Sequence, residues 1–337
     1  MNSLVEVRHL SKFFPVTGGL MQRRIGAVKA VNDISFDIYK GESLGVVGES
    51  GCGKSTLARL ILNLIRPTSG HVLYDGQDVN RISKTELREL RRKMQMVFQD
   101  PHSSLDPRIS IYRSLEEVFT IQKEKLSRPK INERILELLG MVGLKPEHCR
   151  SYPHQLSGGQ KQRAVIARAL AMLPEFIILD EPTAALDVSV QAQIILLLQQ
   201  LGDQFGITYL FISHDLALVD YFCQRIIVMY LGRIVEITPA DLSRQKPMHP
   251  YTKVLKESVF VADPLAEPKA PRIEGDVPSP FNLPEGCVFE TRCEYAQNIC
   301  RKESPALRQT MPGRFVACHF PLIHAMEDPS CLPVDAK

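Results

Sequence analysis

Gly48-Glu49-Ser50-Gly51-Cys52-Gly53-Lys54-Ser55-Thr56 follows the apolar run Ser43–Val47 and opens a segment, 56–65, that reads as a helix. The run fits G-x-x-x-x-G-K-[ST], and a strand before with a helix after is the setting in which that pattern binds phosphate. Gly48, Gly51 and Gly53 let consecutive backbone N–H groups curl around phosphate oxygens without side-chain clash. Ser50 and Cys52 stand at variable positions of the loop, and Cys52 reads as a small filler that contributes its backbone. The positive end of the following helix adds favourable charge. Lys54 is expected to reach the β- and γ-phosphates of a nucleotide, and the Ser55 hydroxyl to ligate Mg²⁺, with Thr56 extending the loop.

Working outward, Phe176-Ile177-Ile178-Leu179 is a buried strand that ends in Asp180 and Glu181. Ligands bind at the carboxyl ends of strands in parallel sheets. There Asp180 would hold Mg²⁺ through water, and Glu181 would polarise an attacking water as general base. Gln99 follows the strand Met94–Phe98, and His214 follows Tyr209–Ser213, so both would reach the γ-phosphate edge; Gln99 would sense Mg²⁺ and water. Strands at 176–179, 208–212 and 226–229 alternate with helices near 189–204 and 215–223. That rhythm predicts an α/β fold with a mostly parallel sheet covered by helices. Residues 4–7 and 34–38 read as further strands, 17–24 as a hairpin tip, and 109–170 takes a helical texture, as in Ile131–Leu139.

The chain has 337 residues, 44% hydrophobic and 23% charged, which suggests two domains or one large domain with an appendix. The net charge of +3, from 41 basic and 38 acidic residues, makes no case for nucleic acid as a partner. No apolar run reaches the ~18 residues a membrane span needs, and the N-terminus lacks the apolar core of a signal peptide, so the chain is expected in the cytosol.

Two features remain. Leu156-Ser157-Gly158-Gly159-Gln160 offers a second glycine pair at a helix start, about a hundred residues after the first loop, where Ser157 and the Gly158 and Gly159 amides would face phosphate. Past Pro250 the composition shifts to a proline-rich linker, with prolines at 264, 268, 271, 278, 280 and 284, and then to a tail with five of the eight cysteines. Cys287, Cys293, Cys300 and Cys318 follow neither the C-x₂-C pairs of zinc ribbons nor the bacterial ferredoxin run. Four thiolates in a segment with little core point to a metal staple in a reducing compartment. Their chemistry leaves Zn²⁺, a cubane cluster and unligated thiols open. Cys331 lies beyond the pattern.

In order, GESGCGKST (48–56), VFQD with Gln99, LSGGQ (156–160), IILDEP (177–182), ALD (185–187) and SHD with His214 resemble the nucleotide-binding subunits of ABC transporters. The resemblance implies a P-loop NTPase core with an antiparallel β subdomain and a helical subdomain at about 101–167, within a nucleotide-binding domain spanning 1–250. It implies that two subunits stack head to tail, so that Ser157, Gly158, Gly159 and Gln160 cap the ATP held by the opposite chain. Asp187 then crosses the interface, and Phe14 matches the aromatic that stacks on adenine. FQDPHSSLDPR (98–108), SYPHQLSGGQKQR (151–163), HPYT (249–252) and GDVPSPFNLPEGCVFETRC (275–293) narrow the resemblance. They are similar to the oligopeptide/dipeptide importer ATPases, closest to the second, F-type subunit.

That resemblance implies an ATPase on the cytoplasmic face of the inner membrane. Its partners would be a second ATPase subunit, two transmembrane permease subunits and, indirectly, a substrate-binding protein. It also implies a [4Fe–4S] cluster at Cys287, Cys293, Cys300 and Cys318, in a Cys-rich domain at 251–337. Related ATPases serve nickel, glutathione or other small solutes. A soluble ABC ATPase acting on chromosomes or ribosomes would need long heptads or two cassettes, and neither is present. An electron carrier would need a second redox motif.

Overall fold

The computed structural model describes residues 2–18, 23–100, 104–121, 126–241, 246–258 and 278–322. The middle of the 17–24 tip (residues 19–22), the prolines at 264, 268 and 271, and Cys331 lie outside the described residues.

The main sheet has eight strands in the order β11-β12-β10-β9-β3-β8-β7-β6. Its centre is β3 (Ser43–Val47), parallel to β9 (Arg225–Tyr230) on one side and β8 (Thr208–Ile212) on the other. β7 (Phe176–Asp180) and β6 (Met94–Val97) continue the parallel set. Every residue of β3, β7 and β8 is buried, because helices and a second sheet cover both faces. Side chains alternate between two cores with the period of two that a strand imposes. Ile177, Leu179, Tyr209 and Phe211 point into one core, and Phe176, Ile178, Leu210 and Ile212 into the other. Each such side chain contributes about 1.5–3 kcal/mol by leaving water.

The second core lies under a four-stranded antiparallel sheet, order β2-β1-β4-β5, built from β1 (Ser3–Gly18), β2 (Arg23–Tyr39), β4 (Ser69–Tyr74) and β5 (Gln77–Asp78). The strand read at residues 4–7 is thus the start of a much longer one. Leu4, Val5, Val7 and Leu10 anchor it, while bulges between Val7 and Phe13 bend it. The first core extends into the helices α3 (Ile111–Ile121), α4 (Arg128–Met141) and α5 (Gly158–Leu170), where Leu115, Phe119, Ile135, Leu138 and Leu139 meet.

The tail continues the main sheet. β10 (Arg233–Pro239) runs antiparallel to β9, and β12 (Arg314–Val316) pairs with β10 before turning to β11 (Arg308–Met311). A fully buried carboxylate, Glu236, makes the joint: it accepts from the N–H groups of Met248 (3.1 Å) and His249 (2.8 Å) and from Arg314 Nη2 at 3.1 Å. Among the described residues no helix is long and apolar enough to cross a membrane.

Removing one partner of a buried ion pair leaves the other charge uncompensated, at about 3–5 kcal/mol. Arg314→Met should therefore lower the stability of the chain by about 3 kcal/mol in denaturant titrations. Arg134→Met, which deletes a surface pair with Glu137, should change it by no more than about 0.5 kcal/mol.

Candidate functional site

Four neighbouring parallel strands stop at one edge of the sheet, and the residue or loop after each faces the same cleft. After β3 comes the 48–55 loop, then α1 (Lys54–Ile61). Gly53 is the N-cap, at φ +105°, a conformation few side-chain-bearing residues adopt; a Cβ there would lie 2.0 Å from the Ala30 carbonyl oxygen. The loop is closed from behind by Gly232, whose N–H donates to the Cys52 carbonyl at 2.9 Å. Lys54 is buried and folds back along the loop, its Nζ donating to the carbonyls of Gly48 (2.7 Å) and Glu49 (3.1 Å).

The cleft measures about 500 Å³ and is lined by Ser50, Gly51, Gly53, Lys54, Ser55 and Thr56 of the loop. Gln99, Glu181 and His214 close its far side. Ala30, on β2, also lines it, and no motif signalled that residue. Ser55 Oγ donates to Asp180 Oδ1 at 3.1 Å, so two of the three expected Mg²⁺-site residues, the third being Gln99, meet across the end of β7. Burial raises the Asp180 pKa, repulsion from Glu181 adds to it, and the Ser55 hydrogen bond opposes it. Gln99 Nε2 donates to Glu181 Oε2 at 2.9 Å, and His214 Nδ1 lies 3.4 Å from the same oxygen. Glu181 sits at φ +48°, a backbone state that costs a residue with a side chain about 1–3 kcal/mol. A hydrogen bond from its N–H to the Ile212 carbonyl, 2.9 Å, holds it there. The general-base candidate, the glutamine and the histidine form one cluster.

The second glycine pair is elsewhere. Ser157 caps α5 reciprocally with Gln160: its Oγ accepts from the Gln160 N–H at 3.3 Å, and its own N–H donates to Gln160 Oε1 at 3.0 Å. Both side chains are thereby engaged in the cap, and Ser157 and Gly158 are exposed. Gly159 packs so closely on α6 (Val188–Phe205) that a Cβ would lie 2.6 Å from Val190 Cγ1. Asp187, at the N-cap of α6, is exposed beside it. None of residues 157–160, nor Asp187, nor Phe14, lines the cleft at Lys54. Phe14 is 39% exposed on β1 with Lys12 Nζ 5.1 Å from its ring centroid, a surface ring and not a core one.

Residues 31–184 match the ABC transporter family, and 235–300 match the oligopeptide/dipeptide transporter C-terminal region. The oligopeptide transport ATP-binding protein AppF of Bacillus subtilis is 48% identical over 94% of this chain and 97% of its own length. The chain belongs to the ATP-binding proteins of the ABC transporter family. A Sinorhizobium fredii protein named as a probable peptide ABC transporter ATP-binding protein is 50% identical over 98% of the chain and 94% of its own. Among solved structures, the ATP-binding cassette MJ0796, a dimer bound to ADP and Pi, superposes with a TM-score of 0.62 at 32% identity, covering 70% of this chain and 98% of that one. The cassette fold expected for this family is therefore present.

Cys287, Cys293, Cys300 and Cys318 line one small pocket, together with His249 and Phe289. Burial pushes the Cys287 thiol up to about 12 and that of Cys318 to about 11, and the neighbouring cysteines add repulsion. Yet among the described residues no three His, Cys, Asp or Glu side chains are grouped to hold a metal ion.

One set of contacts at the loop went unread in the sequence. Arg292, Tyr230 and Tyr251 all bond to Glu49 or to its partner. Tyr251 lies in HPYT, and Arg292 stands beside Cys293 in FETRC, so each was visible only as part of a family pattern.

Gly53→Ala should fold, with a thermal midpoint within a few degrees of the parent, and should bind ATP at least about a hundredfold more weakly in an equilibrium titration. The added methyl forces the loop off Ala30 and away from the phosphate geometry.

Proposed function

We propose that this chain is the energy-coupling ATPase subunit of a peptide importer, working in a pair in which each subunit's signature covers its partner's nucleotide. The observation that carries the reading is the separation of the two phosphate-binding glycine sets. The loop of 48–55 shares its cleft with Gln99, Glu181 and His214, while Ser157 and Gly158 present an open helix N-terminus outside it. A γ-phosphate held at Lys54 lacks a cap from its own chain. A second chain, stacked head to tail, supplies one through the Gly158 and Gly159 amides, with Asp187 crossing beside them.

In the closed pair, Lys54 would hold the β- and γ-phosphates, and Ser55 and, through water, Asp180 would hold a magnesium ion, which would supply positive charge to them. Phe14 stacks on adenine. Glu181 takes a proton from the attacking water as its oxygen bonds to the γ-phosphorus and the bond to the bridging oxygen breaks. Gln99 orients that water, and His214 contacts the γ-phosphate. Closure is a population shift, stabilised by contacts that exist only with nucleotide between the two subunits.

Peptide is the cargo class supported by the relatives, whose names state oligopeptide or peptide transport, rather than nickel or glutathione. The partners that follow are two membrane permeases and a binding protein, with this subunit on the cytoplasmic face of the inner membrane and a related F-type-compatible ATPase as its mate. A groove that joins Met96, Phe98, Val118 and Ile121 to the polar Gln95 and Arg168 would offer the permease a seat. The division at residue 250 separates the cassette from its family-specific tail. Cys287, Cys293, Cys300 and Cys318, which share one pocket, would hold a [4Fe–4S] cluster.

Glu181→Gln should abolish phosphate release while ATP affinity stays within about threefold, and the ATPase pair should accumulate in its closed state. Unimpaired turnover would remove Glu181 from the role of base. Anaerobically purified chain should contain iron and acid-labile sulfide in equal amounts, lost in Cys300→Ser; zinc, or neither element, would overturn the cluster assignment.

A further inference from the structure

The phosphate loop has an anchor outside its own motif, centred on Glu49. The Glu49 N–H donates to Tyr251 Oη at 2.9 Å, and the Glu49 carbonyl accepts from Lys54 Nζ. Its carboxylate accepts from Arg292 Nη1 at 3.1 and 3.0 Å. The same Nη1 donates to Tyr230 Oη at 3.0 Å, and the guanidinium lies 5.8 Å from that ring's centroid. The Arg292 side chain is 6% exposed and that of Glu49 22%, so water screens this pair far less than the surface pairs of the chain. Arg292 is delivered by the tail: it precedes Cys293, and Phe289, three residues earlier, packs on Tyr230 and Tyr251 at 5.2 and 5.4 Å between centroids.

We infer that Arg292 is a positioning residue for nucleotide binding, which neutralises Glu49 so that the Lys54 ammonium remains available to phosphate. This rests on the reading of the 48–55 loop as the ATP site. Glu49 is an anion inside a loop built to receive a polyanion. Without Arg292, the carboxylate is left in the same loop as the ammonium of Lys54, which already bonds the Glu49 carbonyl. An ion pair between them would draw Lys54 off the phosphates and set a bare carboxylate beside them. The tail that carries the cysteines thereby conditions the affinity of the cassette for ATP through one side chain that does not touch the nucleotide.

The test uses the full chain and a fluorescent ATP analogue. Arg292→Met should raise the Kd about tenfold, the scale of one charge-assisted hydrogen bond. Arg292→Lys should stay within about threefold. The double variant Glu49→Gln/Arg292→Met should return to within about threefold of the parent, because removing the carboxylate removes the need for its counter-charge. In the assembled transporter, Arg292→Met should raise the KM for ATP while kcat stays within about twofold. A Kd for Arg292→Met within twofold of the parent overturns the inference, as does a double variant no better than the single one. If Arg292→Met does not fold but the double variant does, the charge argument stands. If neither folds, Arg292 is a packing residue and the inference falls. A parent chain that binds no nucleotide overturns instead the reading of the loop.

Discussion

The phosphate loop is clasped between two other stretches of backbone, and much of the molecule serves to hold them at that distance. Ala30, on the second strand of the antiparallel sheet, approaches Gly53 so closely that no side chain fits between them. On the other side the Gly232 N–H bonds the Cys52 carbonyl, and the Gly232 carbonyl accepts from the Asn32 N–H at 2.8 Å, tying the same turn back to the antiparallel sheet. A loop whose amides must point inward cannot bury its own apolar side chains, so its shape is imposed from outside. The two cores provide that rigidity, one on each face of the central sheet. The cassette is best understood as two packed layers whose meeting line is the nucleotide cleft.

This explains what could be read in advance. β7 and β8 are covered on both faces, so they spell uninterrupted apolar runs, and the residues that follow them, Asp180, Glu181 and His214, could be placed at strand ends before any coordinates. The cluster at Glu181 followed from four such ends sharing an edge. β10 gave no comparable signal, because Glu236 interrupts its apolar run; the glutamate is buried only because Arg314, some eighty residues on, reaches it. β11 and β12 are short and polar, and their existence depends on the edge that β10 offers. Helix α2 (Lys84–Lys93) carried a readable capping box in Ser83 and Glu86, but its mostly polar face made no periodic pattern. Arg292 was legible as a charge and not as a partner, since nothing local links it to Glu49.

The signature illustrates how local chemistry limits what a motif offers. Ser157 and Gln160 use their polar side chains on each other, so what this helix start leaves open is the amides of the two glycines. Gly159 is needed for a second reason, the contact with Val190 that fixes α5 against α6. Since Asp187 stands at the N-cap position of α6, the helix on which Gly159 packs, the signature and that residue share one corner. The corner stands outside the cleft of its own chain.

The sheet that begins at β6 and passes through the nucleotide edge ends in strands donated by the tail. Were the tail to detach, β10 would become an open border, with a row of amides ready to recruit any stray strand and a carboxylate left dry without its arginine. The tail closes the border of the cassette's own framework, so that a chain synthesised without it leaves that strand edge unpaired.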